Sequence, residues 1–218
     1  MARPKQAILS RNLIRDQALA IVDEDGLDAL TMRRLATRLG VQAASLYAHF
    51  SNKDAVLDAI ANRLATSINA SNFGESWQEG LRTWATSFYD VIHWHPNAAP
   101  IVTSGNGRRT EYLAVAELVH TGLVSHGWPP RHALMVAASI NYIVMGAATT
   151  HFASGFSEDE SVYDERFPNL RQAYLLPKVA EAIDRDSFML GLESTIRGLE
   201  PVHAAVVEPV GAESHGAG

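Results

Sequence analysis

From Ile14 to Leu199 apolar side chains return every three to four residues, and nowhere do they alternate over the length a half-buried strand needs. That rhythm predicts an all-α chain. With 218 residues, 47% of them hydrophobic, there is material for one ample core, or for a small domain and a larger one. Cysteine is absent, which excludes a disulfide framework, thiolate chemistry and cysteine zinc sites. The N-terminal "MARPKQAILSRNLIRDQ" is basic but has no apolar run of the signal-peptide kind. The longest apolar stretch, Ala133–Ala148, is interrupted by Ser139, Asn141 and Gly146 and reads as too short to span a bilayer. A soluble, cytoplasmic protein is expected.

The stripes divide the chain. Ile14, Ala18, Ile21 and Val22 make a first helix that Gly26 is placed to end. Met32, Leu35, Ala36 and Leu39 make a second, with Thr31 as N-cap and Gly40 as left-handed C-terminal residue. Ala43, Leu46 and Phe50 make a third and very short one. Ser51 and Asp54 have capping-box spacing before a fourth, whose inner face reads as Leu57, Ile60, Leu64 and Ile68. "NASNFG" (69–74) reads as a linker. Trp77, Leu81, Trp84, Phe88, Val91 and His95 continue the period until Pro96 stops it. Further helices are expected over Thr110–His126, from the "WPPRHALM" segment onward, near Leu170–Ile183 and from Asp186 to Leu199. The resulting division is a head at 1–53, a connecting helix at 54–68, a body at 69–202 and a disordered tail at 203–218.

Charge separates head from body. Residues 1–53 hold eight Lys/Arg against five Asp/Glu, a balance of +3 in a chain of net charge −6, so the remainder carries −9. A basic head on an acidic body suits one job facing a polyanion and another facing something else. The second and third helices, joined by "GVQ", have helix-turn-helix proportions. With Ala43, Leu46 and Phe50 behind, the third helix turns Gln42, Ala44, Ser45, Ala48 and His49 outward, with Tyr47 at the edge. Ser45, Tyr47 and His49 suit phosphate oxygens and Gln42 a base edge, while Arg33, Arg34 and Lys53 flank the surface as phosphate neutralisers. Arg3, Lys5 and Arg11 suit a mobile arm beside it. Two helices around a glycine also occur in proteins that touch no nucleic acid; the clustered charge favours DNA.

The stretch "LTMRRLATRLGVQAASLYAHFSNKDAVLDAI" resembles the DNA-binding head of the TetR family of bacterial repressors, most specifically in "SLYAHFSNKDAVLDAI". "ESWQEGLRTWATSFYDVI" and "FMLGLESTIRGLE" are similar to the body of the tetracycline-repressor branch, and the likeness covers about residues 8–200. It implies an Ω-shaped homodimer of all-α subunits, each a three-helix helix-turn-helix head on a larger ligand-binding and dimerisation body. It also implies binding to palindromic double-stranded operator DNA and release by a small-molecule inducer. On that resemblance Arg33, Gln42, Ser45, Tyr47, His49 and Lys53 fall on DNA-contacting positions. Ala43 and Ala48 stand where tetracycline repressors have larger residues, so the operator sequence should differ.

The body departs from the family pattern. Tetracycline repressors hold a magnesium–drug chelate through two histidines and an asparagine. At those places this chain has Val102, Tyr142 and Trp84, and only the pocket phenylalanine persists, as Phe88. The resemblance therefore argues against a tetracycline–Mg²⁺ inducer and implies no metal or cofactor. Trp84, Phe88, Trp94, Tyr142, Met145 and Phe152, with the polar His95, Asn141 and His151, are candidates for a cavity suited to a flat, hydrophobic molecule. The same aromatics also suit plain core. His93 and His95 are two apart and so diverge on a helix, which points to a helix end and not a metal site.

"TSGNGRR" (103–109) follows no strand and lacks the Lys-Ser/Thr of a phosphate loop; "SEDESVYDE" reads as a solvated loop. Neither a Gly-x-Ser-x-Gly motif nor an acid–base carboxylate pair stands out, so no enzymatic chemistry is expected. The readings left beside a ligand-responsive repressor are a small-molecule-binding adaptor whose head docks a protein, and an all-α enzyme.

Overall fold

The computed structural model describes residues 9–103, 109–163 and 165–207. Arg3 and Lys5 of the proposed arm, most of the Gly-rich "TSGNGRR" segment and the tail from residue 208 lie outside them. Among the described residues there are α- and 3-10 helices and no strand. The chain divides into two compact units. One comprises residues up to Ile68 together with Val91–Val115; the other comprises Asn69–Asp90 and the chain from Ala116 on.

In the first unit side-chain caps and glycines close several of the helices. Helix α1 (Arg11–Asp25) starts at Ser10, whose hydroxyl accepts from Leu13 N at 3.2 Å, and stops at Gly26, φ +84°. It buries Ile14, Ala18, Ile21 and Val22. Helix α2 (Met32–Leu39) is capped by Thr31, which accepts from Arg34 N at 3.1 Å, and ended by Gly40 in the left-handed region at φ +68°. Helix α3 (Ala43–Tyr47) has five residues, shorter than its stripe suggests, because the backbone tightens into turns at Ala48 and His49.

Helix α4 (Lys53–Ala65) corrects two expectations. Its N-cap is Asn52, accepting from Ala55 N at 2.9 Å, and not Ser51. It buries Val56, Ile60, Ala61, Leu64 and Ala65, with Leu57 only half-buried, because it packs on α1 along the adjacent face. Helix α5 (Trp77–Trp94) ends before Pro96, and helix α6 (Ala99–Thr103) packs against α4 within this unit. Helix α7 (Thr110–Ser125), like α5, contributes residues to both units.

The second unit holds most of the aromatic core. The Phe73 ring fills the space over Gly80 and Gly122, where any Cβ would overlap it. Trp77 meets Trp128 edge-on at 5.4 Å, His203 lies 4.8 Å from Trp128, and Tyr89 stacks on Phe188 at 4.2 Å. Helix α8 (Pro130–Thr149) has 20 residues. By length and composition alone Pro130–Gly155, longer than the Ala133–Ala148 stretch read from sequence, passes for a membrane span, as core helices of soluble proteins also do. Ser139 does not break it, because its hydroxyl is absorbed by Met135 O at 2.8 Å.

After α8 the chain runs through 3-10 turns. The helix expected near Leu170–Ile183 is instead a 3-10 segment, Ala173–Val179, in which Pro177 withholds its N–H. The last helix, α9 (Ala180–Val207), is unbroken: it starts before Asp186, passes Pro201 and takes in residues 203–207, assigned to a disordered tail by sequence.

Candidate DNA-binding face and ligand site

On α3 the pattern of burial is one-sided. Leu46 and Phe50 are 0% and 2% exposed, so they anchor the helix, while Gln42, Ala44, Ser45 and Ala48 are open and Tyr47 is 53% exposed. Ala43 and His49 are half-buried at the two edges. The flank from 42 to 49 that faces away from the core is therefore free for a groove.

The positive side chains around this face are not equivalent. Arg33 is exposed and forms no ion pair among the described residues. Arg34, expected to flank the face as a free charge, is instead paired with Asp25, and Arg38 grips Glu24 with both terminal nitrogens at 2.6 Å. The Arg38 hydrogen bonds hold the Glu24 carboxyl below the usual carboxylate range. Lys53 is half-buried, its Nζ 3.5 Å from Leu27 O, so its stem reaches toward the turn that follows α1. Arg11, expected in a mobile arm, is folded back instead: it donates to His49 O and lies 4.2 Å over the Phe50 ring.

The candidate ligand residues separate into four groups. Trp84 and Phe88 are buried neighbours one turn apart on α5, rings 6.3 Å apart, and the Trp84 Nε1–H is enclosed without an acceptor. Asn141 and Met145 are half-buried on α8, whereas Tyr142 (72% exposed), His151, Trp94 and Phe152 stand in the open. Val102 is buried in the first unit. There too His95 is already engaged: its Nδ1 lies 2.9 Å from Asp23 Oδ2, and Asn97 donates to Asp23 O at 3.0 Å. These contacts tie the end of α1 to the chain just past α5.

One buried charge went unrecognised in the sequence. Arg109, 7% exposed, donates through Nε to Asp58 on α4 at 3.0 Å and through Nη1 to the carbonyl of Ile101 on α6. An Arg in a Gly-rich segment gives no local sign of burial.

Residues 14–60 match the family model of bacterial regulatory proteins, tetR family, and residues 71–203 that of the tetracyclin repressor-like C-terminal domain. This chain belongs to the TetR family. The tetracycline repressor protein class D of Escherichia coli is 30% identical over 215 residues, 95% of this chain and 96% of that protein. A possible TetR family regulator from Streptomyces coelicolor A3(2) superimposes with a TM-score of 0.70 at 26% identity, covering 88% of this chain and all of the other. The S. coelicolor TetR family protein ActR in complex with actinorhodin does so with 0.69 at 27%, covering 93% and 100%. As a TetR-family protein the chain is a helix-turn-helix transcriptional regulator with a ligand-binding C-terminal domain.

Proposed function

We propose that this TetR-family protein binds a palindromic operator as a homodimer, represses transcription, and lets go when a small, largely hydrophobic molecule enters its body. The observation that carries the reading is the outer flank of residues 42–49, open to water while Leu46 and Phe50 are sealed behind it. Gln42 and Ala43 reach base edges, and Arg33, Ser45, Tyr47, His49 and Lys53 take phosphates. Two such heads read half-sites about 34–36 Å apart on one face of the duplex. The protein acts in the cytoplasm, where the DNA is, and performs no catalysis.

For the inducer, Trp84 and Phe88 offer ring faces, and Asn141 and Met145 an adaptable rim. The Trp84 N–H, enclosed without an acceptor, favours an inducer carrying a carbonyl or hydroxyl oxygen. The residues at Val102, Tyr142 and Trp84 lack the donor set of a magnesium chelate, so a metal-free ligand is favoured. The inducer needs only unequal affinity for two states of the dimer, and full switching takes roughly 5 kcal/mol.

Selection of bound fragments from a genomic library tests the reading. The expected result is an inverted repeat whose affinity falls steeply with salt. Failure to enrich any sequence, or affinity for all duplexes that ignores salt, sinks it.

A further inference from the structure

Within the first unit α1 packs against α4, and a groove of about 230 Å³ lies along them. Arg11 and Arg15, one turn apart on α1, line it from one side. Asn62, Arg63 and Thr66 on α4 line it from the other, and Glu111 in the first turn of α7 joins them. Three arginines thus line the groove with one carboxylate, and that carboxylate already accepts the Thr110 hydroxyl at 2.6 Å.

The three arginines are held in place largely by neutral partners. Arg11 is fixed over Phe50 and on His49 O. Arg63 donates to the Ser67 hydroxyl at 2.7 Å, and neither Arg11 nor Arg63 meets a carboxylate among the described residues. Arg15 is the exception, bonded to its neighbour Asp16 at 2.8 Å and to Asn12 at 3.1 Å. Like charges one turn apart on a helix repel, and a third across the groove adds to that repulsion. The Asn62 amide is a separate signal: it lines the groove, and its Oδ1 is enclosed and without a partner.

We propose that this groove binds a compact anion, a carboxylate or a phosphate, clamped by Arg11 and Arg15 on α1 and Arg63 on α4. Planar guanidinium groups match both anions with paired hydrogen bonds, and the bound charge relieves their mutual repulsion. Because α1 braces the helix-turn-helix and α4 leads away from it, the anion staples the head. Its lining shares no residue with the inducer candidates or with the proposed DNA-contacting set.

Calorimetric titration of the full-length protein with benzoate, and separately with inorganic phosphate, tests this. One saturable site per protomer is expected for at least one of them, and the tighter of the two identifies the anion. Arg63→Ala and Arg15→Ala should each weaken that binding by about ten-fold or more, while Arg63→Lys restores part of it. No saturable binding of either anion overturns the proposal, and so does equal binding by wild type and both alanine variants. Arg63→Ala should also leave the salt dependence of operator binding unchanged. A shallower dependence would assign Arg63 to a DNA phosphate and overturn the proposal from the other side. Failure to find any operator leaves the anion titrations intact, so the two readings fail separately.

Discussion

Arg109 Nε donates to Asp58 Oδ1 at 3.0 Å, joining the start of α7 to the middle of α4, while Nη1 of the same side chain donates to Ile101 O on α6. One buried guanidinium therefore pins three helices of the first unit, including the helix that continues from the DNA-binding head.

Asp58→Asn leaves that guanidinium enclosed with its countercharge gone. The Arg109 side chain is 8% exposed and the Asp58 side chain 39%, so water screens the pair from one end only. A loss of about 1–3 kcal/mol of stability is expected, below the cost of breaking a fully buried pair. The midpoint of urea unfolding followed by circular dichroism reads it; an unchanged midpoint means the contact contributes nothing.

On the head, Lys53→Ala and Tyr47→Ala should separate two roles. Lys53 supplies a charge, so its loss lowers the slope of log affinity against log salt by about one. Tyr47, 53% exposed, supplies a hydroxyl, so its loss weakens operator binding by about ten-fold with the slope kept. Mobility shifts over a salt series distinguish these outcomes.

Glycine at 122 is required by packing and not by backbone angle. An added Cβ would overlap the Phe73 ring, itself 6% exposed and wedged against Gly80 as well. Gly122→Ala should destabilise the second unit by about 1–3 kcal/mol despite its better helix propensity. Phe73→Leu in the same background should not recover the loss, because the overlap falls on Phe73 Cβ and Cγ, which leucine retains; the urea midpoint of the double variant checks this.

Acid should weaken the second unit through Glu193. Its hydrogen bonds from Arg82, at 2.5 and 3.0 Å, hold its carboxyl below the ordinary Glu value of 4.5. A lowered folded-state pKa contributes stability in full above that ordinary value and loses it as pH falls through the lowered one. Urea midpoints measured from about pH 7 down to about pH 3 should therefore drop less steeply for Glu193→Gln than for wild type.

What the sequence disclosed was what repeats or what caps. The stripe Ile14, Ala18, Ile21, Val22 and the turns at Gly26 and Gly40 were legible because period and positive φ are local properties. So was the open face of α3, since burying Leu46 and Phe50 fixes the rest of that helix by geometry. The pairing of Arg34 with Asp25, the folding of Arg11 onto Phe50 and the capture of His95 by Asp23 were not legible. Each depends on which helices meet, and long polar side chains reach partners that no local pattern names. The continuity of α9 as far as Val207 was missed because the segment past Leu199 has little apolar periodicity.

The surface of α8 and α9 leads to the last expectation. These helices pack together in the second unit, with Ala133, Val136, Ile140, Val144 and Ala148 of α8 buried. Yet Leu134, Met135 and Tyr142 on α8 are 62%, 54% and 72% exposed, and Leu190 on α9 is 71% exposed. Large apolar side chains left in water on two adjacent helices call for a partner. In a homodimer the same patch from a second copy supplies it, as two-fold symmetry requires. Leu134→Glu and Leu190→Glu each place a charge there at little expense to the protomer's own core. Sedimentation analysis should show the wild type as a dimer and the double variant as a folded monomer. Operator binding should then collapse, because one head alone loses the second half-site. A double variant that still sediments as a dimer would move the interface elsewhere on the chain.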